Sequence, residues 1–167
     1  MGEPVLIPQE IPVKASVLGW ADDRREAIVA QPFTVANSSY DITCVSMGNP
    51  HCITFIDEDV RSFPLEAIGS LFEKHELFPE GVNTEFVNII DKEHLRMRVW
   101  ERGSGETLAC GTGTCATVVA CVLNGLTEDE ITVHLLGGDI LVKYDRDNDT
   151  VWMTGPAAIA FEGTIEI

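Results

Sequence analysis

The stretch Gly111–Leu123, GTGTCATVVACVL, constrains this chain more than any other. Its residues are small or aliphatic on every side, and Asn124-Gly125 supplies a stop at its end. A helix that is apolar all round is a buried helix, so the rest of the chain has to enclose it. What the rest offers is mainly strands. Runs at 33–35, 41–47, 52–56, 83–90, 95–101, 131–136, 139–144 and 151–154 lie between turn-prone clusters such as Asn37-Ser38-Ser39, Asp57-Glu58-Asp59 and Asp91-Lys92-Glu93. The runs at 83–90 and 95–101 read as a hairpin, and 161–167 is expected to end in a short strand. Pro64 followed by Leu65, Ile68, Leu71 and Phe72 predicts a second helix over 64–74. Because turns, not crossover helices, join most of these strands, a parallel sheet is disfavoured. The expected fold class is α+β: a curved, mostly antiparallel, barrel-like sheet wrapped around the one buried central helix. Residues 1–30, with Pro4, Pro8, Pro12 and a charged run over 22–26, read as an extended lead-in or linker ahead of a domain at 31–167.

Charge narrows the partners. The 167 residues include 27 acidic and 11 basic side chains, a formal net charge of -16. Binding through phosphates needs clustered Lys and Arg, so nucleic acid is excluded, and an anionic membrane surface is disfavoured. No apolar run approaches the roughly 18 residues of a membrane span, and MGEPVLIPQE has neither the basic region nor the apolar core of a secretion signal. At 45% hydrophobic residues the chain is composed like a globular protein. The five cysteines, Cys44, Cys52, Cys110, Cys115 and Cys121, make an odd count without zinc-type spacing, which predicts free thiols in a reducing cytoplasm and no metal site.

Chemistry concentrates in Glu101-Arg102-Gly103-Ser104-Gly105-Glu106-Thr107-Leu108-Ala109-Cys110-Gly111-Thr112-Gly113-Thr114, where Gly103–Gly105 is expected to break the strand and open a loop to the helix. Cys110 falls at the start of the buried helix, where backbone N–H groups lack intrahelical partners and the dipole is positive. Such groups hold a carboxylate and favour a thiolate. A free thiol is only about 3% ionised at pH 7, and stabilisation by roughly 2 kcal/mol would bring it to about half, suited to acid–base work. Gly111-x-Gly113-x-x-Ala116 also matches a dinucleotide fingerprint, but the strand that should lead directly into its first glycine is replaced by the irregular stretch 103–109. A phosphate loop is excluded, since no Gly-Lys-[Ser/Thr] follows. Two polar turns add candidates: Ser46-Met47-Gly48-Asn49-Pro50-His51, with an amide and an imidazole, and Phe78-Pro79-Glu80-Gly81-Val82-Asn83, with a second amide.

Together SMGNPH (46–51), LFPEGVNTEFV (77–87), ERGSGETLACGTG (101–113) and MTGPA (153–157) resemble, in order and spacing, diaminopimelate epimerase, and the opening MGEP is similar to the start of that enzyme's second half. The resemblance implies interconversion of LL- and meso-2,6-diaminopimelate, on the route to lysine and peptidoglycan, without pyridoxal phosphate, metal or other cofactor. It implies two cysteines on opposite faces of the substrate Cα, one from each of two similar domains, and generally a homodimer. Cys110 matches the second cysteine, and His51 and Glu101 match positions that tune the pair. Asn49, Asn83, Glu101 and Arg102 match substrate-binding positions, and Gly111 and Thr112 those whose backbone grips the α-carboxylate. No Cys-Gly-Asn helix start is present, and Cys44, Cys52, Cys115 and Cys121 read as core. The chain is thus expected to be the C-terminal half, with an N-terminal domain and its cysteine missing, and inactive or nearly so without it. A related racemase acting on another amino acid and a non-catalytic amino-acid-binding module are the alternatives.

Overall fold

The computed structural model describes residues 1–21 and 25–165; positions 22–24 of the charged run, and 166–167 of the tail, lie outside the described residues. Strands β1 (Gln31–Val35), β2 (Ser38–Ser46) and β3 (Pro50–Phe55) are followed by helix α1 (Leu65–Glu73). Then come β4 (Asn83–Ile89), β5 (His94–Glu101), a short β6 (Gly105–Thr107), helix α2 (Gly111–Leu123), and β7 (Glu130–Leu135), β8 (Gly138–Asp145) and β9 (Thr150–Thr154). They form one sheet in the order β1-β2-β3-β4-β5-β7-β8-β9, with β6 paired to β5. The α+β class, the mostly antiparallel pairing and the 83–90/95–101 hairpin are as the sequence leads one to expect.

Two joins are parallel, β3 with β4 and β5 with β7. Each parallel join spans one helix, α1 in the first case and α2 in the second, as a parallel pair requires. The ladder is also open, with β1 and β9 at its two ends. The chain's first residues bridge part of that gap. Gly2 makes an isolated bridge to Val151 of β9, and Val5 makes one to Ser46 of β2 through a pair of 2.9 Å hydrogen bonds.

The sheet is covered on both faces. On one, α2 is enclosed by Val45, Ile53, Val87, Met97, Val99, Val133 and Val142, and ten of its thirteen residues are buried. Along β5 the alternation of buried and part-exposed residues sends Leu95, Met97 and Val99 to this face. The other face packs Ile42, Cys44, Cys52 and Phe86 against Leu65 and Phe72 of α1. Ile11, Val13 and Ile28 join this second core, and 3-10 turns at Pro8–Glu10 and Ala15–Leu18 shape the segment before β1. The lead-in is therefore built into the domain, because its apolar residues cap a sheet face that α1 alone does not cover.

Two further expectations need correction. Gly103–Gly105 does not open a loop: φ of +76° at Gly103 and +79° at Gly105 turn the chain back, so that 105–107 pairs with β5. No strand forms over 161–165, which is exposed and irregular.

Candidate active site

The site is assembled around the first turn of α2. Cys110 is its N-cap, in extended backbone, with Sγ accepting a hydrogen bond from the Gly113 N–H at 3.4 Å and lying 3.5 Å from Thr112 Oγ1. The Cys110 carbonyl accepts from both Thr114 N and Thr114 Oγ1, at 2.8 and 2.7 Å. Capping therefore employs the N–H groups of Gly113 and Thr114, which come after those of Gly111 and Thr112.

Beneath that turn lies a charge the motif reading overlooked. Glu85 of β4 is fully buried, and its Oε1 lies 2.7 Å from His51 Nδ1 on the neighbouring β3. An added Cβ on Gly113 would land on Glu85 Oε1 and come within 3.2 Å of Cys110 Sγ, so carboxyl and sulfur crowd the same point. The other ring nitrogen of His51 lies 3.0 Å from Asn49 Oδ1. A row Asn49–His51–Glu85, half-buried at Asn49 and buried at the other two, thus runs from the β2–β3 turn to the start of α2. One signal was available in advance: strand parity puts Asn83 and Glu85 on the same face of β4 as Val87 and Ile89.

The remaining candidates form a second group. Asn83 is 3% exposed and accepts the Arg102 N–H through Oδ1 at 2.9 Å, fixing the turn after β5. The Arg102 side chain is exposed, with Nη1 donating to the Glu80 carbonyl at 3.1 Å. Glu101 Oε1 accepts from Thr107 Oγ1, across the β5–β6 hairpin. MTGPA arrives beside the helix start, where Met153 Sδ is 3.5 Å from a Cβ built on Gly111. All four motif segments meet here. Cys44, Cys52, Cys115 and Cys121 are fully buried in the two cores.

One electrostatic expectation is reversed. The Cys110 thiol is pushed up, to about 11, first by burial and next by the charge of Glu85. The Thr112 hydroxyl and the Gly113 N–H pull the other way and are outweighed, while Glu101 adds to the rise. Helix-start stabilisation of a thiolate is real but limited to roughly 2 kcal/mol, and here a dry pocket with two carboxylates opposes it.

The sequence profile of the family described as diaminopimelate epimerase matches residues 43–160. The chain belongs to the diaminopimelate epimerase family. The diaminopimelate epimerase of Agathobacter rectalis is 52% identical over 168 residues, covering 100% of this chain and 58% of that protein. That of Acetivibrio thermocellus is 48% identical, with 100% and 56% covered, and that of Methanococcus maripaludis 50% identical, with 100% and 57% covered. The chain therefore spans a little over half the length of these epimerases. Among solved structures, a hydroxyproline epimerase from Agrobacterium vitis superposes at a TM-score of 0.49 and 15% identity, over 70% of this chain and 40% of that one. So distant a likeness adds nothing to the family assignment. Among the described residues, no helix is long and apolar enough to cross a membrane.

Proposed function

We propose that this chain is the C-terminal half of a diaminopimelate epimerase, interconverting LL- and meso-2,6-diaminopimelate in lysine and peptidoglycan synthesis once the other half is supplied. The observation that carries the reading is the placement of Cys110: its sulfur caps the start of a buried helix, beside the Gly111 and Thr112 N–H groups that capping does not use. Those N–H groups would hold the substrate α-carboxylate, with the positive end of the helix dipole behind them. Arg102 and the amides of Asn49 and Asn83 would border the bound amino acid, and Glu101 and His51 would govern the proton balance.

Inversion at Cα requires one group to remove a proton and another to return one from the opposite face. Starting as a thiol, Cys110 donates its proton to the planar carbanion and becomes a thiolate; in the reverse direction that thiolate takes the α-proton. The opposing thiol, deprotonated when Cys110 is protonated, would come from the other half of the enzyme. No cofactor enters this scheme. The exposed Trp152, Ile159 and Phe161 offer apolar surface for that half or for a second copy. Free thiols at all five cysteines accord with a cytoplasmic protein.

The test mixes this chain with the N-terminal half of the Agathobacter rectalis epimerase in deuterated buffer, with that full-length enzyme as control. Deuterium is expected at Cα of diaminopimelate, with proline and hydroxyproline left unlabelled. No label on diaminopimelate while the control is active would sink the assignment, and preference for a proline-type substrate would move it to a related racemase.

A further inference from the structure

We propose that Glu85 is a positioning residue of this site: its carboxylate clamps His51 by Nδ1 and sits against the first turn of α2, keeping the Cys110 sulfur in its thiol form. The inference deepens the reading of Cys110 as a proton-transfer group and rests on it.

Three observations carry it. Glu85 and His51 are both wholly buried with Oε1 2.7 Å from Nδ1, and Asn49 Oδ1, which only accepts, faces Nε2 at 3.0 Å, so each ring nitrogen is held against an oxygen. The Nε2 edge, beside half-buried Asn49, is the side of the ring turned to the turn before β3. Glu85 Oε2 has no hydrogen-bond partner among the described residues, although it is fully buried. A carboxylate oxygen left bare in a dry interior is costly, and a fold retains one where its charge acts on a neighbour. The neighbour is Cys110: Gly113, with no side chain, lets the carboxyl approach the helix turn, and a Cβ there would displace it.

The other groups around the sulfur do not substitute for Glu85. From β5 comes Glu101, whose Oε1 already accepts from Thr107. From β3 comes His51, taken by Glu85 and Asn49. From β9 comes uncharged Met153, and α2 contributes Thr112, the Gly113 N–H and the Cys115 thiol, itself pushed up by burial. The exposed Arg102 guanidinium rests on the Glu80 carbonyl. Of the two carboxyls that raise the thiol, buried Glu85 acts more strongly than Glu101.

The experiment has two arms, neither of which needs turnover. In the wild-type chain, nitrogen NMR of labelled histidine is expected to show a proton on His51 Nδ1 shared with the Glu85 carboxyl; an unprotonated Nδ1 overturns the proposal. In Glu85→Gln, iodoacetamide labelling of Cys110 at pH 8, read by peptide mass spectrometry relative to Cys115, is expected to rise at least tenfold over wild type, with the pH profile displaced to lower pH. A ratio unchanged from wild type overturns the proposal, as does a full restoration of the wild-type profile in Glu85→Ala. Should Glu85→Gln unfold and label every cysteine alike, the wild-type histidine measurement decides. Loss of deuterium exchange in the reconstituted enzyme with both arms positive would refute the epimerase reading and leave Glu85 in its role.

Discussion

At Gly113 a single methyl group would meet Glu85 Oε1 and Cys110 Sγ at once. Alanine would be favoured there by helix propensity by about 1 kcal/mol, yet overpacking a filled site costs about 1–3 kcal/mol. Gly113→Ala is therefore expected to lower the melting temperature by several degrees and to abolish exchange in the reconstituted enzyme. A variant with wild-type exchange would show that carboxyl and sulfur do not share that point. Cys110 itself is expected to react with iodoacetamide at least tenfold more slowly at pH 8 than a free cysteine, its rate still climbing at pH 10, because its thiol is held near 11. Rapid reaction at neutral pH would contradict the burial and charge that hold it. At this scale the residue types of the site were legible and their states were not. Cys110, His51 and Asn49 stand out within their motifs, whereas Glu85, inside 77–87, is brought to the helix start only by strand pairing and by a glycine on another element, which no local spacing encodes.

Elements were easier to read where periodicity is long and uniform. The all-apolar helix α2 and the β4–β5 hairpin follow directly from pattern, while β6, three residues with little apolar content, is defined only by pairing back on β5. The parallel joins escaped notice for a related reason: α1 and α2 act as crossovers, a property of where strands end up and not of the strands themselves. The seating of α1 depends on Gly69, where an added Cβ would lie 2.6 Å from Trp100 Cβ on β5. The Trp100 indole N–H also donates to Glu73 Oε2 of the same helix at 2.7 Å, so the aromatic ring cannot readily withdraw. Gly69→Ala is expected to destabilise the chain by about 1–3 kcal/mol in urea despite its better helix propensity. A stabilised variant would mean that α1 is free to shift away from β5.

For the molecule as a whole, buried thiols set a weak side at alkaline pH. Cys110 and Cys115 are raised to about 11 and Cys121 to about 12, chiefly by burial. A thiol of the unfolded chain ionises near about 8.5. Above that value the unfolded state loses protons that the folded state keeps, so stability falls as pH rises from about 8.5 to 11, each thiol contributing at most about 1.4 kcal/mol per pH unit. Urea unfolding under reducing conditions at pH 7.5, 9 and 10.5 checks this, and Cys121→Ala should soften the decline; an identical decline without Cys121 would exclude it as a source. The sheet's near-closure by residues 2–5 was not visible in a proline-spaced lead-in, since isolated bridges leave no periodic trace. Val5→Pro removes the N–H that reaches the Ser46 carbonyl, and is expected to cost about 1–3 kcal/mol and to speed amide exchange along β2 and β9. Unchanged exchange would make the bridge dispensable.

That bridge is also a line of force. Tension on the polypeptide ahead of Val5 is shared between the Gly2 bridge to Val151 and two hydrogen bonds to Ser46, the residue that opens the turn leading to Asn49 and His51. A pull at the start of the chain therefore does not dissipate in a slack tether. It loads the turn that leads to His51, so that handling this chain by its leading end, tethered to a surface or fused to another protein, amounts to leaning on the contact between His51 and Glu85.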